Sequence, residues 1–155
     1  MQIYKAPPIL VINLKRFRHS QGQSSRFANM YSGGGSQKIE VNVDFPLEGL
    51  DMSRFILGRE AKENPNQYIY DCYAVSNHYG GLGFGHYTAY AKNPLTERWY
   101  EFDDSRVSAI APQAVASQVR SKAAYNLFYR RRDWHARNMA QGVDFEALAI
   151  RPENF

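Results

Sequence analysis

Three aromatic-rich runs, Tyr68–His78, His86–Lys92 and Arg98–Phe102, follow one another with only the glycine loop Gly80–Gly85 and the turn Asn93-Pro94-Leu95-Thr96 between them. Connections this short leave no room for the crossover that parallel pairing requires. The three runs are therefore expected to form an antiparallel meander. The chain holds 11 tyrosines and 9 phenylalanines, residue types that suit a pleated, half-buried surface, so a sheet-rich fold is the expectation from composition as well.

The flanking segments extend the pattern. Pro7-Pro8 precede Ile9–Phe17, whose β-branched start reads as a buried strand. Ile39, Val41 and Val43 alternate with Lys38, Glu40 and Asn42, the period of a half-buried strand that Pro46 ends. Asp51–Ile56 reads as a short helical turn with Asp51 as its cap. Pro112 suits a first helical turn ahead of a short helix over Gln113–Val119. Ala123–Tyr129 reads as a further strand whose Tyr125, Leu127 and Tyr129 share one core-facing side. His19–Gln37, with Gly33-Gly34-Gly35 near its end, is a long polar loop, and Glu60–Gln67 a shorter one. After Arg132 the strand pattern stops. Residues 1–132 are expected to form the folded body, and 133–155 a tail with a short helix near Phe145–Ile150. At 155 residues the chain has the size of about one domain, with some five or six strands and little helix.

Several function classes are excluded or disfavoured. Cys72 is the one cysteine, so no internal disulfide and no zinc ribbon can form. No apolar run reaches the roughly 18 residues that a membrane-spanning helix needs, and Ile9–Ile12 is too short for a signal segment. The formal net charge is +4: residues 120–137 carry +5 and the rest of the chain −1. That stretch could touch nucleic acid, but its aromatics alternate into a strand rather than forming a stacking stripe, which favours a solvated strand end.

Chemistry concentrates in the meander. His86 opens one strand, and Asp103-Asp104 close the next. In an antiparallel pair such positions can lie side by side, where a carboxylate would fix the tautomer of the imidazole and free its other nitrogen as a base. Spacing alone leaves a plainer alternative open, a solvated histidine near a turn aspartate. Gly81-Leu82-Gly83 lacks the third glycine of a dinucleotide fingerprint, since position 86 is histidine, and the loop leads into a strand rather than a helix. Cys72 sits mid-strand, away from any helix N-terminus that would lower its pKa, so a core thiol is the better reading than a nucleophile. His19, His78 and His135 have no carboxylate at a telling spacing and read as surface or loop residues.

Six blocks, in order, carry a resemblance. They are Ile9–Phe17 with its Leu14-Lys15-Arg16-Phe17 ending, Val43–Leu47, Tyr73–Gly81, Gly85–Tyr90, Trp99–Ser105 and Ser121–Tyr129. Together they resemble the ubiquitin-specific proteases, papain-like cysteine deubiquitinases. The likeness runs over Tyr4–Arg132 and matches only the C-terminal half of that family's catalytic domain.

The resemblance implies an α+β fold, mainly antiparallel sheet, forming the sheet half of a papain-like peptidase. It implies a thiol-dependent hydrolysis after the C-terminal glycine of ubiquitin. His86 would be the base and Asp103 its orienting carboxylate, with Asp104 the rival for that place. Phe17, Gly80, Gly81, Gly85 and Tyr87 would contact the ubiquitin tail. No metal and no cofactor are implied. The partners would be ubiquitin or ubiquitinated proteins and an N-terminal half bearing the nucleophile and oxyanion hole, absent here. The chain is thus expected to be a fragment, a split-gene product or a truncated gene model. It would be inactive alone and would expose apolar surface that the other half covers. The place of action would be cytoplasm or nucleus. Phe84 departs from the family, which carries another glycine there.

Overall fold

The computed structural model describes residues 2–19, 36–58, 63–81 and 84–140. The strands run in chain order as β1 (Ile9–Asn13), β2 (Phe17–His19), β3 (Ser36–Lys38), β4 (Leu50–Asp51), β5 (Ile69–Gly80), β6 (Gly85–Lys92), β7 (Trp99–Asp103), β8 (Arg106–Ala109) and β9 (Ala124–Arg131). With them go the α-helices α1 (Val115–Val119) and α2 (Arg132–Ala140). The expected meander is present as β5-β6-β7, all antiparallel. It continues into β8, which the sequence reading did not find: all four residues of β8 are exposed, so no alternation marks it.

β9 inserts on the other side of β5, and β1 pairs with the outer edge of β9, giving the order β1-β9-β5-β6-β7-β8 with the short β4 also on β5. β2 and β3 form a separate two-stranded ribbon. One face of the large sheet carries the core, built around Tyr70, Cys72, Val75, Tyr90, Trp99, Leu127 and Tyr129. Phe45 and Val119 of α1 close it from above. Pro112 opens a 3-10 turn that leads into α1, as its fixed φ and missing N–H allow. Two buried tyrosines satisfy their hydroxyls on proline carbonyls: Tyr70 donates to Pro7 at 2.6 Å and Tyr129 to Pro46 at 2.7 Å. Each ties a loop to the core, the polar handle that a buried tyrosine needs.

Four expectations need correction. Lys38–Val43 is not one strand: pairing stops at Lys38, and Val41 is 62% exposed. The reason is Arg16, whose guanidinium Nη1 takes the carbonyls of Ile39 (2.9 Å) and Val41 (2.8 Å) that a strand partner would use. The first strand is half-buried rather than buried, since Ile9 and Val11 point away from the core. Tyr125 leaves the core face. β9 slips register between Asn126 and Ala124 against Ser76 and Asn77, and this bulge re-aims the Tyr125 ring. Regular structure also continues past Arg132 into α2, which Arg132 fastens by two hydrogen bonds to Asp71 at 2.8 and 2.5 Å.

The face opposite the core leaves Val11, Phe102 and Val107 exposed. The expected helix near Phe145–Ile150 and most of the His19–Gln37 loop lie outside the described residues.

Candidate active site

The β5–β6 hairpin sets Tyr79 opposite His86 and Gly80 opposite Gly85. The β6–β7 register puts Ala89 opposite Phe102, so Asp103 lies one pleat from His86 on the same face, a diagonal pair within side-chain reach. His86 Nε2 and Asp103 Oδ1 meet at 2.5 Å. Both side chains are partly exposed. The hydrogen bond to Asp103 raises the pKa of His86, with slight burial opposing and the charges of Asp103 and Asp104 adding to it. Asp104 occupies the tip of the β7–β8 hairpin at φ 49°, a left-handed position that aspartate tolerates. Of the two rivals, Asp103 makes the bond and Asp104 contributes charge. The donor atoms of His86, Asp103 and Asp104 lie within 4.8 Å of one another, a spread that a divalent cation could bridge. The direct bond already commits Nε2 and one Asp103 oxygen to each other.

The glycines have separate roles. Gly80 takes φ 98°, and a Cβ there would press on the Gly85 Cα and the Phe84 carbonyl at 2.9 Å. A Cβ on Gly85 would collide with the Tyr79 carbonyl and with Nε2 of His78. Gly81 sits under the ring of Phe84, which is 80% exposed. Leu82 and Gly83 lie outside the described residues.

Phe17 and Tyr87 share one neighbour. Both rest on the imidazole of His78, Phe17 edge-on at 5.5 Å between centroids and Tyr87 tilted at 4.7 Å. Tyr125 joins them, 5.8 Å from His78 and 6.1 Å from Phe17. Sequence reasoning placed His78 on the surface, but it is 4% exposed. Burial, with Lys38 nearby, lowers its pKa, so the ring is neutral at neutral pH. Among the described residues its Nδ1 has no hydrogen-bond partner. Lys38 Nζ donates to the His78 carbonyl at 2.5 Å, and Arg16 Nε to the Ala124 carbonyl at 2.6 Å. The available signal was register: His78 is the residue opposite Tyr87 in the expected hairpin.

Cys72 is 3% exposed, and burial pushes its thiol up to about 12. It lies seven residues along β5 from the partner of His86, on the order of 20 Å at strand rise. The basic stretch is largely neutralised: Arg120 pairs with Asp44, Arg130 with Glu97, Arg131 and Arg137 with Asp133, and Arg132 with Asp71. That arrangement leaves little free charge for a polyanion.

A family model described as ubiquitin carboxyl-terminal hydrolase matches residues 1–129. Ubiquitin carboxyl-terminal hydrolase 4 of Pongo abelii is 47% identical over 131 residues, which are 84% of this chain and 12% of that protein. Ubiquitin carboxyl-terminal hydrolase 10 of Arabidopsis thaliana is 40% identical over 152 residues, 96% of this chain and 14% of that protein. The chain thus spans about an eighth of the length of these curated relatives. A solved structure of the SAGA DUB module bound to ubiquitin aldehyde aligns with a TM-score of 0.63 at 30% identity, covering 84% of this chain and 26% of the other. The fold is accordingly that of a papain-like deubiquitinase, seen in its antiparallel sheet. Family match, identity and fold agree, and the chain belongs to the ubiquitin carboxyl-terminal hydrolase family as a ubiquitin-specific protease region.

Proposed function

We propose that this chain is the histidine-bearing part of a thiol-dependent deubiquitinase that cleaves after the C-terminal glycine of ubiquitin. The observation that carries the reading is the His86–Asp103 pair, in which Nε2 is engaged and Nδ1 is left for proton transfer. A cysteine thiol supplied from outside these 155 residues passes its proton to Nδ1. The thiolate attacks the carbonyl carbon, and the imidazolium, steadied by Asp103, returns the proton to the leaving amine. Water then hydrolyses the thioester. Asp104 adds negative potential to the same site.

Ubiquitin as partner is supported by relatives solved with ubiquitin aldehyde and with monoubiquitin. Gly80, Gly81 and Gly85 leave a backbone rim without side chains beside His86, while Phe17 and Tyr87 pack on His78 at the opposite face of the same hairpin. These five residues would hold the ubiquitin tail, the glycines at the rim and the aromatics from behind it. Residues 1–132 would form the catalytic part and 133–155 a C-terminal extension that starts within α2. Among the described residues no helix is long and apolar enough to cross a membrane, and we place the activity in cytoplasm or nucleus.

The buried, high-pKa Cys72 is the only thiol in the sequence, so the isolated chain is expected to leave a fluorogenic ubiquitin substrate uncleaved. Joined to a cysteine-bearing half from a relative, it should cleave that substrate. His86→Ala should then lower the rate by roughly 10³ or more, the scale of losing a triad member. Asp103→Asn should be damaging and Asp104→Asn less so. Cleavage that survives His86→Ala would reject the reading. The same buried thiol favours a second reading, a non-catalytic ubiquitin-binding fragment or pseudoenzyme. A joined protein that binds ubiquitin and never cleaves it would select that one.

A further inference from the structure

The two residues that flank His86 in the chain both rest on the same buried side chain. A Cβ at Gly85 would strike His78 Nε2, and the Tyr87 ring lies 4.7 Å from the His78 ring. His78 pairs directly with Tyr87 across the hairpin, so its imidazole stands on the face opposite the one that carries His86 and Asp103. Three further contacts hold it there: Phe17 at 5.5 Å, Tyr125 at 5.8 Å and Lys38 on its carbonyl. Among the described residues its Nδ1 finds no hydrogen-bond partner. The contacts that hold the ring among the described residues are packing contacts, with Gly85, Phe17, Tyr87 and Tyr125. A flat ring is what fits between a bare Cα and an aromatic side chain.

We propose that His78 is a positioning residue for His86. Wedged behind the sheet against Gly85 and Tyr87, it fixes the backbone pitch at residue 86 and so holds the His86 ring on Asp103. The proposal rests on the reading of His86 as the base. The wedge acts through shape, so a flat ring without nitrogens should serve and a small side chain should not. Its logic is that of any site held by packed neighbours: a ring aimed by diagonal reach across one pleat loses alignment when the backbone beneath it relaxes.

The test uses the 155-residue chain and the NMR titration of the His86 ring, which reads its bond to Asp103 without substrate. In the parent chain the His86 midpoint lies above that of a free histidine, and Asp103→Asn should bring it down. His78→Ala should move it in the same direction while the amide spectrum stays that of a folded sheet. His78→Phe should restore the parent midpoint. Should His78→Ala not fold, Tyr87→Leu, which withdraws one side of the wedge, carries the same comparison with the same expected direction. An unchanged midpoint in a folded His78→Ala chain, or in Tyr87→Leu where His78→Ala does not fold, overturns the proposal, and so does a midpoint that Asp103→Asn leaves unmoved. Failure of the His78→Phe rescue overturns the shape argument and the proposal with it. Failure of the hydrolase reading would show separately, as loss of cleavage in the joined protein with these titrations intact.

Discussion

At the scale of single residues, burial separates chemistry from packing. Cys72 has the reactive atom but the wrong surroundings, a core position that holds its thiol near 12. It should resist iodoacetamide at pH 8 in the folded chain and react at the rate of an ordinary thiol in denaturant, as followed by mass spectrometry. Rapid labelling of folded protein would place the thiol outside the core. His86 is the reverse case, an open imidazole whose pKa a carboxylate raises. That pair was legible in the sequence because one hairpin separates histidine from aspartate and strand geometry does the rest. His78 was not legible. Charge and spacing single out histidines with carboxylate neighbours, and His78 is held by rings drawn from three other strands. Arg16 escaped for a similar reason, since its hydrogen-bond acceptors are backbone carbonyls that no side-chain pattern announces.

Among the elements, β5 and β9 carry the most. β5 pairs with β6, β9 and β4, and Leu127 of β9, opposite Val75, is 2% exposed. Leu127→Ala should cost about 2–5 kcal/mol, the range for emptying a packed leucine site, measured by urea unfolding. A loss under 1 kcal/mol would mean that the core closes over the gap. Alternation found β5, β6, β7 and β9 because each buries residues of one face. It missed β8, where every side chain is exposed, and it extended β3 too far, because Ile39 and Val41 alternate in a segment whose carbonyls belong to Arg16. Bulges escape any period-2 reading by construction, and Tyr125 is the residue that this cost.

For the whole molecule, ion pairs fasten α2 to the sheet. Burial pushes the Asp71 carboxyl up, but the hydrogen bonds from Arg132 and the Gly49 amide, with the charge of Arg132, outweigh it and bring it below its usual value. A carboxylate depressed in the folded state stabilises fully above its unfolded pKa, near 3.9, and that contribution is lost as pH falls through the folded value. Asp71→Asn should therefore lower the melting temperature at pH 7 and flatten its decline below pH 4. An unaltered acid limb in calorimetry would remove Asp71 from the account. The outermost pairing has a consequence of a different kind. Asn13 of β1 meets Asn126 of β9, 113 residues later. On a ribosome, β1 emerges 113 residues ahead of its partner and waits for that whole stretch to be made. Until then an apolar strand stays unsatisfied, a template for wrong partners. Slow elongation or a premature stop before β9 would thus yield aggregate rather than a smaller working sheet, and chaperone demand should rise with the delay between the two strands.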